Sequence, residues 1–148
     1  MSLLFSSHCE YALQAMVYLA LKPRGEMTSI KELTTRLAIP RHFLAKIMQD
    51  LKRQGFLTSL KGPTGGFALN APADDITLFR IVEAIDGTNF IQGCVMGCQD
   101  RLNGKTCALH DAWAGLRGGI VSMLVTRNLG QVARDARHKR TRAATRLK

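Results

Sequence analysis

Residues 28–69 read TSIKELTTRLAIPRHFLAKIMQDLKRQGFLTSLKGPTGGFAL. Ser29 stands three residues before Glu32, the spacing of a capping box, in which a hydroxyl and an acidic side chain satisfy free amides at a helix start. A short helix is expected from there, with Ile30, Leu33 and Leu37 on one face. Ala38-Ile39-Pro40 forms a tight turn, and proline suits the first turn of the helix that follows. That helix is expected over residues 41–54, where Leu44, Ile47, Met48 and Leu51 are spaced as one buried stripe. Gly55 stops it. Two short apolar runs, 56–60 and 67–69, then flank Lys61-Gly62-Pro63-Thr64-Gly65-Gly66, a turn by composition.

Two short helices, a tight turn and a β-hairpin, in that order, are the pattern of a winged helix-turn-helix. The alternative is a plain helical domain with an ordinary solvated face; it has no need of the turn and hairpin in this order. In the winged-helix reading the second helix of the pair is narrow enough to enter a major groove. Opposite its apolar stripe it carries His42, Lys46, Gln49 and Arg53, with Arg41 at its start. Lysine and arginine suit phosphates and guanine edges, and glutamine suits adenine. At the wing, Lys61 supplies charge, Thr64 a hydroxyl, and the glycines allow close approach of the tip to a phosphate backbone. The expected partner is a double-stranded DNA operator.

Outward from this segment, Ser7-His8-Cys9-Glu10 has the capping-box form and opens a broadly apolar helix to about residue 21, ended by Pro23 and Gly25. The fold class expected is mainly α with a small β-hairpin: a winged helix-turn-helix plus a long dimerisation helix. The divisions are a DNA-binding domain over 1–88, a cysteine loop over 89–107, a dimerisation helix with a short C-terminal helix over 108–131, and a basic, disordered tail over 132–148. The whole is one domain's worth of chain at 148 residues. No apolar run is long enough to span a bilayer and no signal peptide is legible, so no membrane partner and a cytoplasmic location are expected.

The net charge of +10 is unevenly placed. Residues 134–148 hold seven Lys/Arg against one Asp, leaving the body only modestly basic. Such a run is commonly just solvated, or serves as an arm for any polyanion. The bulk charge therefore permits nucleic-acid binding without establishing it. No G-x-S-x-G, Walker A or HExxH pattern occurs, so the chain is not expected to be an enzyme. A bare electron-transfer protein would not need a winged helix.

Three of the four cysteines lie in GCVMGCQDRLNGKTCALHDAW, residues 93–113, at Cys94, Cys98 and Cys107, with His110 close behind. Clustered cysteines without a disulfide context more often bind metal or sense redox state. Thiolates hold iron–sulfur clusters or zinc, and an imidazole can replace one of them. Cys9, isolated on the first helix, reads as a small buried residue. After the loop, Leu109, Ala112, Trp113, Leu116, Ile120, Met123 and Leu124 form an apolar stripe that one small domain has little reason to bury internally. Gly115, Gly118 and Gly119 interrupt it, each at roughly 1 kcal/mol relative to alanine in a helix interior; either the helix is compromised there or, the favoured reading, glycine permits close helix–helix approach.

The sequence resembles the winged-helix regulators that include IscR and NsrR, transcription factors that sense through iron–sulfur clusters. The resemblance spans residues 3–131 and is carried by EYALQAMVYLAL, the helix pair, KGPTGGFAL, ITLFRIVEAIDG and CALHDAWAGL, in order. It implies a homodimer joined through the helix after the loop, with Leu109, Trp113, Leu116, Ile120 and Met123 at the interface. It also implies a cluster on Cys94, Cys98 and Cys107 that switches operator binding, the chain acting as a repressor. The intervals of three and eight residues depart from the more even spacing of well-known members, so the cluster is [2Fe-2S] in the first reading and [4Fe-4S] in the second. Zinc in a Cys3His site, or a cluster-free thiol sensor, is the alternative within the same fold. For the fourth ligand, His110 matches the IscR-like position and Glu10, before Tyr11, the NsrR-like one. His110 is preferred because it shares a segment with Cys107 and, unlike Glu10, has no capping duty. IPRHFLAKI is closer to NsrR, and Ala45 stands where IscR-like members carry a glutamate that discriminates between DNA sites, so IscR's operator choice does not transfer.

Overall fold

The computed structural model describes residues 4–88 and 109–146. Helix α1 (Ser7–Leu21) is apolar nearly all round, and Ala12, Ala15, Met16 and Leu19 are buried along one side. Its cap is Ser6, whose hydroxyl accepts from the Cys9 amide at 3.0 Å; the cap expected at Ser7 is one residue late. The deciding contact is non-local. Ser6 also donates through its amide (2.8 Å) and hydroxyl (2.5 Å) to the carboxylate of Asp86. Glu10 is thereby freed from any capping-box role.

Helix α2 (Ile30–Leu37) starts as expected, with the Ser29 hydroxyl accepting from the Glu32 amide. The carboxylate of Glu32 turns away from the cap. It accepts from the Tyr18 hydroxyl and the Lys22 ammonium, both at 2.6 Å, so α2 is tied to the end of α1. The Lys22 and Tyr18 hydrogen bonds hold the Glu32 carboxyl below its ordinary pKa. Between α2 and α3 (Arg41–Arg53), Ala38 takes a left-handed conformation (φ 54°) and Ile39 is buried, which turns the chain within three residues. Pro40 occupies the cap position of α3. Leu44, Ile47, Met48 and Leu51 are fully buried against α1, as their spacing predicts.

Strands β1 (Leu57–Leu60) and β2 (Gly66–Leu69) pair antiparallel, Leu57 opposite Leu69 and Leu60 opposite Gly66. Thr28, just ahead of α2, exchanges two backbone hydrogen bonds of 2.9 Å with Phe67. The wing is therefore anchored to the helix pair. A short 3-10 turn (Ala73–Asp75) leads into α4 (Leu78–Asp86), whose Ile81 and Val82 are buried. Helices α5 (His110–Thr126) and α6 (Leu129–Arg146) follow. The Leu78 amide donates to the Arg127 carbonyl and the Leu129 amide to that of Ile76, fastening the α5–α6 junction beside α4.

Helix α6 corrects the expectation of a disordered tail. It runs to Arg146, through most of the 132–148 segment, and packs on α1 with Leu129 and Ala133 buried. Its start is a reciprocal cap: Gln131 donates from its amide to Asn128 Oδ1 (2.9 Å), and Asn128 donates from its amide to Gln131 Oε1 (3.1 Å). Leu129, Val132, Ala133 and Ala136 supply the apolar seam, confined to the first half of the helix. Arg134 and Arg137 add tethers to Asp74 Oδ1 (3.1 Å) and the Leu21 carbonyl (2.5 Å).

Gly66 holds φ 149°, and a Cβ there would lie 2.2 Å from the Thr28 carbonyl oxygen. Gly66→Ala is expected to lower unfolding free energy by roughly 1–3 kcal/mol and to loosen the wing first. Chemical denaturation checks the magnitude, and amide exchange at Thr28 and Phe67 checks the location.

Candidate nucleic-acid interface

Because α3 buries one stripe completely, its opposite side is presented to solvent. Arg41, His42, Lys46, Gln49 and Arg53 are all exposed there. Arg53 Nη2 is held by Asp50 Oδ1 at 2.6 Å, one turn back, so it is more constrained than the others. Phe43 was not anticipated by the sequence reading. It is 50% exposed, and His42 lies against it with ring centroids 4.2 Å apart. An aromatic off the buried stripe was the available signal; such a ring suits a thymine methyl. In the wing, Lys61 and Thr64 are exposed. A Cβ on Gly65 would meet the Leu60 carbonyl oxygen at 2.1 Å, so this glycine serves the wing's own tight closure.

The candidate metal ligands fall partly outside the described residues. Cys94, Cys98 and Cys107 lie outside the described residues. Among the described residues, no group of three or more His, Cys, Asp or Glu side chains could hold a metal ion. His110, the first residue of α5, and Glu10, in the first turn of α1, are both half-buried. Either donor, added to three thiolates, suits an iron–sulfur centre or zinc in chemical type. Cys9 is fully buried with Val82 and Leu124. Burial first, and then the Asp86 carboxylate, push its thiol up to about 12, so it stays protonated and is a poor ligand.

The first turn of α1 connects two parts of the molecule. Ser6 is bonded to Asp86, the last residue of α4, three residues ahead of the 89–107 segment. His8 Nε2 lies 3.2 Å from Asp50 Oδ2, and Asp50 in turn holds Arg53. Three residues of chain, 6–8, thus carry both a contact at the root of the 89–107 segment and one on α3.

On α5, Leu109, Leu116 and Met123 are 45%, 65% and 50% exposed. Trp113 and Ile120 are half-buried, and Ile120 packs against the Cys9–Val82–Leu124 cluster. The sites flanking Gly115, Gly118 and Gly119 are open space for a Cβ within this chain.

The family model described as Rrf2, iron-dependent transcriptional regulator, matches residues 5–135. The chain belongs to the Rrf2 family. A protein of Aquifex aeolicus described as an HTH-type transcriptional regulator is 35% identical over 121 residues, 80% of this chain and 83% of its own. Among solved structures, CymR, the global cysteine regulator of B. subtilis, superposes with a TM-score of 0.72 at 25% identity, covering 87% of this chain and 95% of its own. IscR of T. potens matches in fold with a TM-score of 0.69 at 21% identity, over 88% and 86% of the two chains. The Rrf2 chain is a winged-helix, DNA-binding transcription regulator and not an enzyme. No helix among its described residues is long and apolar enough to cross a membrane.

Two measurements follow on operator DNA. Arg41→Ala is expected to weaken specific binding by roughly 1–3 kcal/mol, whereas Lys61→Ala should weaken all sequences alike and shallow the salt dependence. Titration at several salt concentrations separates the two. Removal of residues 134–148 is expected to leave the fold intact, since Leu129 and Ala133 remain, and to reduce non-specific affinity and its salt slope; circular dichroism and filter binding report each half.

Proposed function

We propose that this Rrf2 chain is a cytoplasmic homodimer that represses transcription, its hold on an operator being set by the state of its cysteine loop. The reading rests on one observation above the others: a polar and basic face of α3 open to solvent behind a fully buried stripe, beside an anchored wing. Two such chains about a two-fold axis would set two α3 helices into half-sites about one helical turn apart. The exposed Leu109, Leu116 and Met123, with Trp113 and Ile120 beside them, supply an apolar surface for that pairing.

Cys94, Cys98 and Cys107 would hold an iron–sulfur cluster, with His110 preferred as fourth ligand and Glu10 as its rival; [2Fe-2S] accords with His110, and [4Fe-4S] remains the second assignment. When bound, such a group supplies a reversible change of charge and ligation at the loop. The chain's own residues would carry that change onward. Asp86 holds Ser6 at the loop's root, His8 meets Asp50 on α3, and Asp50 orients Arg53 on the reading face. A small displacement of α1's first turn would shift the two reading helices out of register.

A second reading is favoured by the likeness to CymR, a cysteine regulator: the same dimer, switched by its thiols or by zinc without an iron–sulfur cluster.

Visible absorption of protein purified without oxygen tests the choice. Charge-transfer bands that survive in Glu10→Gln and become weak and oxygen-labile in His110→Ala are the expected result. The reverse pattern assigns Glu10. A colourless wild-type protein that still binds its operator moves the assignment to the thiol or zinc reading.

A further inference from the structure

Helix α1 is buried on one side against the winged-helix core, and its other side faces α6 across an apolar groove of about 350 Å³. Leu13, Val17 and Leu21 form its floor at four-residue intervals; Leu37 of α2 and Val132 of α6 close its flanks. The volume lies within the roughly 300–1,000 Å³ of small-molecule sites, and an apolar lining with one placed polar group is their usual make-up.

That group is Arg140, which lines the groove and has no ion-pair partner among the described residues. Gln14 also lines the groove, as an exposed neutral amide; the other polar groups nearby are engaged. Tyr18 donates to Glu32, Lys22 neutralises Glu32, and Arg137 donates to the Leu21 carbonyl. An occupant therefore meets hydrocarbon along most of its length, the neutral Gln14 amide, and one cation, Arg140, without an ion-pair partner among the described residues. A neutral oil would leave the guanidinium without a partner, and a dianion would exceed the charge on offer.

We infer that the α1–α6 groove binds a small apolar monocarboxylate, such as a medium-chain or aryl acid, with its carboxylate on Arg140. The carboxylate fits the two-pronged guanidinium, and the chain displaces water from Leu13, Val17 and Leu21. Occupancy would clamp α6 onto α1. The inference is independent of the cysteine loop and of its cofactor.

The test uses the full-length chain, titrated calorimetrically with decanoate and, separately, with decanol. Decanoate is expected to bind saturably, one per chain, at least tenfold more tightly than decanol, and to raise the melting temperature. Arg140→Gln, an exposed substitution that cannot empty the core, should remove that tenfold preference and leave decanol binding as it was. Val132→Trp should fill the groove and abolish binding of both, with the helical circular dichroism retained. Absence of saturable decanoate binding to the wild type overturns the inference, as does decanoate binding indifferent to Arg140→Gln. Dissociation of a dimer into folded monomers in Val132→Trp, seen by sedimentation, would give the groove to a second copy of the chain and overturn it as well.

Discussion

Everything in this molecule that could read DNA depends on how α3 is buried against α1. Leu44, Ile47, Met48 and Leu51 are each fully removed from water, at about 1.5–3 kcal/mol apiece in gross transfer free energy. The polar links on the same helix are weaker. His8–Asp50 and Asp50–Arg53 are partly exposed pairs of a kind commonly contributing about 1 kcal/mol or less. Apolar burial therefore fixes which side of α3 is outward, and these polar links only adjust how it sits. A contact that costs little to break is suited to transmitting a signal, because its loss changes geometry without unfolding the domain.

Helix α1 carries such contacts because it is apolar on more than one side. A surface helix would show a single stripe; α1 has buried residues toward the winged helix and half-buried Leu13, Val17 and Leu21 toward α6. Its first turn then has contacts with α4 through Ser6, α3 through His8, and the α4–α5 core through Cys9. Inert burial of Cys9 is part of that arrangement. A reactive thiol at this position would couple oxidation to collapse of the core, whereas a protonated, inaccessible one leaves the core indifferent to oxidants.

The local features were legible in the sequence, and the non-local ones were not. Ser29, the α3 stripe and the glycine-rich wing turn each announce themselves within a few residues, and the structure places them as expected. Ser6 and Ser7 are alike in sequence, and the choice between them is made by Asp86, 80 residues away. The Glu32 carboxylate follows the same rule, since Tyr18 and Lys22 outbid the cap for it. Helix α6 is a different failure. Asn128 and Gln131 spelled out its cap, and Leu129, Val132 and Ala133 its seam, but the density of charge beyond them read as a disordered run. The consequence for the site is direct: with Ser6 as cap, Glu10 loses its structural duty, and one of the two grounds for preferring His110 falls away. The remaining ground is its place in the same short segment as Cys107.

Folding the basic tail into a helix changes what its charge can do. A disordered arm must be ordered on every binding event, whereas α6 is already held by Leu129, Ala133 and the tethers at Arg134 and Arg137. His138, Lys139, Arg142 and Arg146 are exposed along its outer half, at spacings that keep them on neighbouring faces. At physiological ionic strength such charges are felt over about 8 Å, so their effect on DNA depends on where a rigid helix can bring them. Charges brought within that range add to encounter rate and non-specific hold without discriminating between sequences. The exposed face of α3, with Arg41, Phe43, Lys46 and Gln49, is positioned instead by apolar burial, which salt does not screen.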